Sequence, residues 1–559
     1  MKQGMRVLVA ISLGALLLSP AAMAATKKTA KPTKAAPTTA TTAKAATPTA
    51  APATKAATGG KLVIATEAEG TNWLPSTAWA AGPLNVGNAV YDRLLAYNSD
   101  GIVEPNLVES FSPNSSYTEW TFKLKPGIKF HNGEVLDAAA VKTNLDALRA
   151  PTSGIANFFV GVKEITTTSD LTFVVSLSSR SVNFPENLAE QGGTVAAPAV
   201  WKDPNTYKSK PIGTGPFVFK EWVPDDHFTA TRNANYWRKG YPKLDEVTFK
   251  PIPDEAVRLN ALKSGDVDLM HTFNGAKIAE LRDLAKDGKF VESEHDGKFS
   301  DLTMLTLNLE KAPIDDLRIR KALVMLTDTE EIIKVLYSGA LKSTNQAFGE
   351  GNLGYITSGD TGYPKFDPEG GKKLIAEYLK EKSLDSLPTI DLSAPSVPEN
   401  VALINFVSQQ WAKYGIKTKL SNQEQSKYVL GVLGGDYMAA GWRGLSGYDP
   451  ELLQRFFSSA GYAPIGKVTL NYNRIRSNIV DSTFSDLRSN SDPAIRKRAA
   501  QSLNRELNQM VVGVYLYRTT WAVGANKDVQ NLQFLTLPSG SKNTGLLIGA
   551  MPIAELSRG

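Results

Sequence analysis

The 559-residue chain contains no cysteine and only four histidines. Without cysteine it can form neither a disulfide nor a thiolate metal site, and it offers no cysteine for lipid attachment after export. A chain of this length buries enough apolar surface to fold without such crosslinks. The composition therefore excludes small disulfide-stapled domains and lipoproteins anchored through cysteine.

Sequence patterns typical of catalysis are also scarce. The four histidines, His131, His227, His271 and His295, form no HExxH pair, and no GxSxG elbow or Walker phosphate loop occurs. A Ser-x-x-Lys run at 539–542 lacks the SDN and KTG motifs that accompany it in enzymes, so we interpret it as chance. We therefore expect a protein that is not an enzyme, with no metal site and no cofactor.

Only one stretch resembles an export signal. The apolar run 7–18 follows Lys2 and Arg6, and small residues precede a cleavage site after Ala24. This order is typical of a secretory signal peptide over 1–24. A retained membrane anchor is the alternative, but the run is shorter than the roughly 20 residues that a span needs. We expect a cleaved protein in a Gram-negative periplasm.

The next segment, 25–60, consists almost entirely of Ala, Thr, Lys and Pro. This composition predicts disorder, either as a spacer, which we favour, or as a tether from the export site. Residues 1–60 carry eight of the 62 basic residues and no acidic one, which leaves 54 basic against 56 acidic residues beyond them. The overall charge of +6 therefore gives no support to nucleic-acid binding.

Several segments of the remaining chain have clear local patterns. Residues 119–125 alternate like a half-buried strand, and Asp137 is placed to cap a helix over 138–148. Apolar residues recur at helical spacing over 315–337, and 83–97 also predicts a single helix. Because such strands and helices are mixed along a chain too long for one core, we expect an α/β protein with more than one domain.

Characteristic motifs follow one another in a set order. Residues 91–130 begin YDRLLAY and lead into HNGEVLDAAAV at 131–141. PIGTGPFVFKE at 211–221 and RNANYWRKG at 232–240 come next, and a strand-helix-strand segment at 244–270 ends SGDVDLM. In order and spacing these motifs resemble the bacterial extracellular solute-binding proteins of family 5, the dipeptide and oligopeptide receptors of ABC importers. The resemblance covers nearly everything beyond the linker.

The resemblance implies a two-lobed α/β periplasmic binding protein, type II and cluster C-like, with an extra small domain and a two-crossover hinge. It assigns lobe one to 61–98, 209–309 and 526–559, the extra domain to 99–208, and lobe two to 310–525. Such proteins bind a small molecule or peptide and deliver it. The implied partners are the permease and ATPase subunits of an ABC importer in the inner membrane, and the implied state is a monomer.

The segment from Gly441 through Trp442 to Ser446 looks like the ligand-facing part of lobe two. In peptide receptors of the family, an Asp after Trp-x-Gly pairs with the peptide's α-amine, and here that position is Leu445. A buried ammonium needs a carboxylate. Either Asp449 supplies it through a shift in register, or the ligand has no free α-amine. We favour the second, since Asp449 also fits a helix N-cap.

Arg443 is the charged residue of this segment. It can hold a carboxylate or phosphate with two hydrogen bonds, or it can be a solvated residue at a strand end, and the sequence leaves both open. The loop 69–82 is the expected opposite wall. There we expect Trp79 and Ala80 at the cleft and Trp73 packed on its own domain.

Phe348 and Tyr428 are further candidates that the resemblance places near the ligand, with core packing as the alternative for both. The expected ligand is a dipeptide or oligopeptide. An amine-blocked or non-peptide solute, such as an opine or a glycoside, is the main alternative. A secreted hydrolase or a periplasmic chaperone would be a different class of protein. The first needs a nucleophile with a nearby base, and the second predicts weak, promiscuous binding.

Overall fold

The computed structural model describes residues 59–77, 81–295, 297–445 and 447–559. The expected signal peptide lies outside these ranges, as does the expected linker except for Gly59 and Gly60. Two large sheets organise the described chain, each in its own α/β body. None of the helices in these ranges has the length and apolar character that a bilayer span requires.

The first body is built on a seven-stranded sheet. Its central strand, Lys61–Thr66, pairs in parallel with strands on both sides, and the other pairings are antiparallel. Helices Ala81–Val90, Glu255–Ser264 and Gly275–Lys286 accompany it. In spatial order the strands are Phe290–Glu294, Ala522–Asn526, Leu269–Thr272, Lys61–Thr66, Glu246–Pro251, His227–Arg232 and Phe217–Val223.

The second body is built on a six-stranded sheet with its own hydrophobic core. In spatial order its strands are Lys342–Ser343, Gly513–Arg518, Leu302–Leu307, Ala439–Gly444, Ile390–Pro395 and Thr418–Gln423. Its helices are Leu317–Met325, Thr329–Leu336, Pro368–Lys382, Pro398–Ala412, Gln425–Gly434, Gln454–Phe457, Asn478–Ser489 and Pro493–Met510. It also contains 3-10 turns at Pro450–Leu453 and Ser459–Gly461.

A four-stranded antiparallel sheet lies within the range expected for the extra domain. One continuous cluster of buried side chains joins it to the seven-stranded body, with Phe122 and Phe173 on one side and Leu62 and Ile64 on the other. The four-stranded sheet therefore shares a hydrophobic core with the first body, and with its helices it corresponds to the expected extra domain. Its strands are Val108–Pro113, Glu119–Leu124, Thr172–Leu177 and Val162–Ser169, and its helices are Ala138–Leu148, Phe184–Ala189, Pro198–Lys202 and Pro204–Tyr207.

Smaller elements complete the described chain. They are the strand pairs Leu95–Tyr97 with Val103–Pro105 and Val529–Gln530 with Ser557–Arg558, and the 3-10 turns Ala156–Phe159, Gln191–Gly193 and Leu547–Gly549.

Local sequence signals predicted two elements of the extra domain correctly. In the strand Glu119–Leu124, alternate side chains are buried, as the pattern predicts. The Asp137 side chain accepts a hydrogen bond of 2.7 Å from the Ala140 backbone N–H and so caps the helix Ala138–Leu148. Both predictions are confirmed because the signals lie within the elements themselves.

The prediction of one helix over 83–97 is wrong in its extent. The helix ends at Val90, and the chain continues to a short strand at Leu95–Tyr97. Directly after the helix, the Tyr91 hydroxyl donates to the Trp73 carbonyl at 2.8 Å. This contact with a residue 18 positions away accompanies the end of the helix.

The helical character of the stretch 315–337 is confirmed. Two helices occur, Leu317–Met325 and Thr329–Leu336. The Asp328 side chain begins the second by accepting a hydrogen bond of 2.9 Å from the Glu331 backbone N–H. A capping residue inside an apolar-periodic stretch therefore divides it into two helices.

Three of the sequence motifs meet at the carboxylate of Asp92. The Thr214 hydroxyl donates to it at 3.0 Å, the Tyr236 hydroxyl at 2.9 Å and the Trp237 indole N–H at 2.8 Å. Burial raises the pKa of this carboxyl, while the three hydrogen bonds and the charge of Arg238 oppose the rise. These motif residues therefore join distant parts of the first body.

Removing the charge of Asp92 tests this arrangement. We expect Asp92→Asn to lower the free energy of unfolding by about 2–3 kcal/mol. Hydrogen bonds to a charged acceptor contribute about 1.5–3 kcal/mol each, and the amide NH₂ of Asn would face a hydrogen-bond donor in place of an acceptor. Asp170→Asn, at an exposed turn, is the matched control. Urea unfolding followed by circular dichroism measures both, and equal midpoints for the two variants would contradict the account.

Two chain crossings connect the sheets and run side by side. The first lies between Glu294 and Leu302, and the second between Arg518 and Ala522. The His295 backbone N–H donates to the Trp521 carbonyl at 2.7 Å, and the Thr519 N–H donates to the Asp301 carbonyl at 2.9 Å. The crossings therefore form one hydrogen-bonded ribbon.

The sheet memberships correct the expected positions of these crossings. Boundaries were expected after Leu309 and after Ala525, but Leu302–Leu307 pairs within the six-stranded sheet and Ala522–Asn526 pairs within the seven-stranded sheet. Each crossing thus lies several residues earlier in the sequence than expected. The division into two lobes and an extra domain remains our proposal, and below we use lobe one for the seven-stranded body and lobe two for the six-stranded body.

Candidate ligand-binding site

The segment expected to face the ligand begins on a central strand of lobe two. Ala439–Gly444 lies between Leu302–Leu307 and Ile390–Pro395. Leu445 follows it with φ of 62°, the left-handed region that a leucine rarely adopts. Its buried side chain joins the lobe-two core. Leu445 therefore turns the chain and offers no polar group.

The neighbours of Leu445 are packed in lobe two. Trp442 is buried, with its ring 5.1 Å from the ring of Tyr472, and the Tyr428 hydroxyl donates to the Gly441 carbonyl. Phe348 is also fully buried in this core. The contacts of Gly441, Trp442, Tyr428 and Phe348 support packing, and a ligand role for any of them stays a prediction.

Arg443 reaches from lobe two to lobe one. Its guanidinium carbon is 4.5 Å from the ring centre of Phe273, at the end of a lobe-one strand, and 5.4 Å from that of Trp521 in the second crossing. Its Nε is 3.8 Å from an oxygen of Asp301 in the first crossing. Only 6% of the side chain is exposed, so Arg443 is not a solvated strand-end residue.

The guanidinium of Arg443 is incompletely paired. Its Nη1 is buried and has no hydrogen-bond partner among the described residues. Aromatic faces attract a cation but do not replace hydrogen-bond acceptors, and a buried donor without one costs free energy. The guanidinium therefore has capacity for one more acceptor.

Asp449 is held by groups of lobe two itself. One carboxylate oxygen accepts a hydrogen bond of 2.9 Å from the Glu451 backbone N–H, which caps the turn Pro450–Leu453. The other oxygen pairs with Arg496. Asp449 thus has the N-cap role that the sequence suggested, and both of its oxygens are occupied.

Lobe two and the first crossing fix the segment that follows Ser446. The Gly447 N–H donates to the Phe299 carbonyl at 3.3 Å, and the Asn352 side chain donates to the Gly447 carbonyl at 2.8 Å. Tyr448 then stacks on Tyr97, with ring centres 3.8 Å apart. The segment is therefore tied to both sides of the cleft.

On the lobe-one side, the described part of the expected wall is tied to a buried contact between Glu67 and His271. Trp73 packs edge-on against Trp222 and Phe228 at 5.5 and 5.0 Å, as predicted. Glu67 accepts a hydrogen bond of 2.8 Å from the Gly82 backbone N–H and pairs with His271. Trp79, Ala80 and Ser446 lie outside the described residues, so their expected places stay predictions.

The Glu67–His271 pair packs against a residue that contacts Arg443. The His271 ring stacks on Trp521 at 5.5 Å, and Trp521 in turn faces Arg443. Burial acts to raise the pKa of Glu67, but His271 and Arg258 outweigh it and bring the pKa to about 2. Glu67 is therefore a carboxylate that holds Gly82 and His271 together.

The depressed pKa of Glu67 predicts a pH-dependent contribution to stability. Because the folded value of about 2 lies below the ordinary 4.5, Glu67 stabilises the fold above pH 4.5, and the contribution is lost as the pH falls towards 2. We expect Glu67→Gln to cost about 3 kcal/mol at pH 7 and progressively less below pH 4.5. Exposed Glu377→Gln is the control. A cost that stays constant down to pH 3 in urea titrations would contradict this.

Sequence reasoning missed the residues that surround Arg443. Phe273, Asp301 and Trp521 come from three separate parts of the chain, and no local pattern marks them. Each of the three lies next to the end of a strand: Phe273 follows Leu269–Thr272, Asp301 precedes Leu302–Leu307, and Trp521 precedes Ala522–Asn526.

A cavity of about 150 Å³ is lined in part by Tyr448. Its lining includes Arg93, Tyr97, Glu190 and Arg238, mostly from lobe one and the extra domain, and it does not include Arg443 or Leu445. It is therefore distinct from the cleft that the sequence identified. Among the residues that the structure describes, no three acidic, histidine or cysteine side chains are grouped so as to hold a metal ion.

Comparison with known proteins identifies the class. The family described as bacterial extracellular solute-binding proteins, family 5 Middle, matches residues 103–464. The chain belongs to this family. Among solved structures, AgaA from A. tumefacien R10 in complex with agropinic acid superimposes with a TM-score of 0.75 at 23% identity, covering 89% of this chain and 99% of that one. DppA from Helicobacter pylori with the peptide STSA gives 0.76 at 21% identity, covering 90% and 98%. The fold is thus the type II periplasmic binding protein fold.

Two relatives of named role are similar to this chain in sequence. The glutathione-binding protein GsiB of Pectobacterium atrosepticum is 26% identical over 415 residues, which are 72% of this chain and 78% of that protein. Heme-binding protein A of Haemophilus influenzae is 28% identical over 395 residues, 65% of this chain and 70% of that protein. These proteins bind different solutes, so membership supports a solute-binding role in an ABC importer without specifying the solute.

Proposed function

We propose that this protein is the periplasmic binding component of an ABC importer and that it captures a small anionic solute with no requirement for a free α-amine. The observation that carries the proposal is the buried guanidinium of Arg443, which lies between the lobes with Nη1 unpaired. A carboxylate or phosphate on the solute would complete its hydrogen bonds. Contacts to both lobes then favour the closed form by population shift.

The positions of Leu445 and Asp449 give further support for a solute that is bound without a free α-amine. Leu445 stands where the peptide receptors resembled by this chain have an amine-binding Asp, and its side chain is in the lobe-two core. Asp449, the alternative acceptor, is occupied by Arg496 and the turn it caps. Amine-blocked peptides and opine-like acids fit this chemistry.

A free-amine peptide is the second candidate, and Asp301 is the observation that favours it. This buried carboxylate lies 3.8 Å from Arg443, beyond normal hydrogen-bond length. A zwitterionic ligand could separate the pair and bind its carboxylate to Arg443 and its amine to Asp301.

A thermal-shift screen of the mature protein distinguishes the two candidates. It would compare dipeptides, their N-acetylated forms, opines and oligosaccharides. A ligand at 100 times its Kd adds about 2.7 kcal/mol to the folded state, which gives a measurable rise in midpoint. We expect stabilisation by N-acetylated dipeptides or opines. Stabilisation by free-amine dipeptides alone would favour the second candidate, and turnover of a substrate would contradict a binding protein.

Two variants that each remove one charge then test the roles of Arg443 and Asp301. For the solute found in the screen, we expect Arg443→Gln to weaken binding by about 2–5 kcal/mol, as for loss of a buried charge partner. Asp301→Asn should leave an amine-blocked solute bound and abolish binding of a free-amine one. Isothermal titration calorimetry measures both. Unchanged affinity in Arg443→Gln would remove the proposed anchor.

Export and cleavage form a separate part of the proposal. We propose that the signal peptide 1–24 is removed and that the protein is released without a lipid, as a monomer that meets permease and ATPase subunits at the inner membrane. Intact mass measurement of the protein from the periplasmic fraction should give an N-terminus at Ala25. A mass that includes residues 1–24, with the protein in the membrane fraction, would favour the retained anchor instead.

A further inference from the structure

The extra domain contacts lobe two through side chains and backbone groups that are distant from each other in the sequence. The Asn183 side chain donates to the Glu451 carboxylate at 3.0 Å, and Arg488 donates to the other oxygen of Glu451 at 2.8 Å. The Val182 backbone N–H donates to the Arg488 carbonyl at 3.0 Å. Asn183 and Glu451 are both buried, so these are not loose surface contacts.

Other contacts extend the same surface. The Arg180 guanidinium donates to the Ser489 carbonyl at 2.5 Å, and the guanidinium of Arg455 lies 5.0 Å from the ring centre of Phe158. The extra domain shares its core with lobe one, while lobe two is joined to lobe one through the two crossings. A hinge motion that moves lobe two away from lobe one would therefore break these contacts.

Glu186 occupies the same surface, at the start of the helix Phe184–Ala189. Its carboxyl is 3.4 Å from the Tyr97 hydroxyl, which donates to it. Burial raises the pKa of Glu186 to about 8, Arg496 opposes the rise, and the charges of Glu451 and Glu190 add to it. Nearby, Asp449 pairs with Arg496 and Arg488 pairs with Glu451, so little positive charge is left for Glu186. Arg496 and Glu451, the two lobe-two residues whose charges act on Glu186, each belong to one of these ion pairs.

We propose that this surface is a closing latch, in which Glu451 of lobe two binds Asn183 of the extra domain and closure covers Glu186. The extra domain thereby sets affinity for the solute without touching it, since every contact that forms only in the closed state adds to the free energy of binding. The inference rests on the lobe closure of the proposed function and is independent of which solute binds.

The sign of the pH effect follows from the two states. Moving lobe two away would expose Glu186 to water and so bring its pKa down from about 8 towards the ordinary 4.5. Between these values only the closed form holds the proton, so closure weakens as the pH rises. The ratio of closed to open molecules should fall by up to about tenfold per pH unit between pH 5 and 8 and then level off.

Single-molecule Förster resonance energy transfer between two dyes on the ligand-free protein tests the latch, with high transfer efficiency expected for the closed form. The chain has no native cysteine, so two dyes attach only at Thr143→Cys in the extra domain and Lys417→Cys in lobe two, both at exposed positions. We expect a high-transfer population at pH 5 that declines towards pH 8. Glu186→Gln should remove this decline, because its side chain is neutral throughout, while exposed Glu164→Gln should retain it.

Asn183→Ala tests the latch contact directly. It should reduce the high-transfer population about fivefold or more at pH 5, since it leaves a buried charged acceptor short of one donor. Asn187→Ala is the matched control, because the Asn187 side chain donates to the Phe184 carbonyl of its own helix. The proposal is overturned if Asn183→Ala behaves like Asn187→Ala, if Glu186→Gln keeps the pH dependence, or if no high-transfer population exists at pH 5. A failed solute screen would leave these outcomes unaffected and would count against the proposed function alone.

Discussion

The pairing of the two chain crossings is the constraint on which the rest of the structure depends. Hydrogen bonds of 2.7 Å from His295 to Trp521 and 2.9 Å from Thr519 to Asp301 align the crossings, and the Thr303 and Thr519 hydroxyls add a contact of 3.1 Å. This ribbon brings Trp521 and Asp301 to the boundary between the lobes. Arg443, near the end of a lobe-two strand, contacts the rings of Phe273 and Trp521 and lies 3.8 Å from the Asp301 carboxylate. Trp521 and Asp301 therefore belong both to the crossings and to the candidate binding site.

The extent to which sequence predicted the fold depends on where each signal lies. The Asp137 cap and the alternation in Glu119–Leu124 are local and were predicted correctly. The end of the helix at Val90 depends on tertiary contacts of Tyr91 and Asp92, which no local pattern contains. The division into domains that the family motifs imply stays a proposal, and the crossings lie earlier than expected, because strand pairing determines which sheet a strand joins.

The candidate site was predictable only in part for the same reason. The family resemblance selected Arg443 and Leu445, but it could not show that Arg443 is buried against Phe273 and Trp521, since those residues are distant in sequence. Asp449 illustrates the opposite case. Its Asp-Pro context indicated an N-cap, and the cap is present. The contacts of Trp442, Tyr428 and Phe348 are those of a packed core, on which the orientation of the cleft residues depends.

The most direct test of the central claim is a crystal structure with the solute that most stabilises the protein. The account predicts one solute between the lobes, with an anionic oxygen within about 3 Å of the Arg443 guanidinium. It also predicts that Asn183 and Glu451 remain in contact. A solute that binds elsewhere, such as in the cavity beside Tyr97, with Arg443 making no contact to it, would contradict the account.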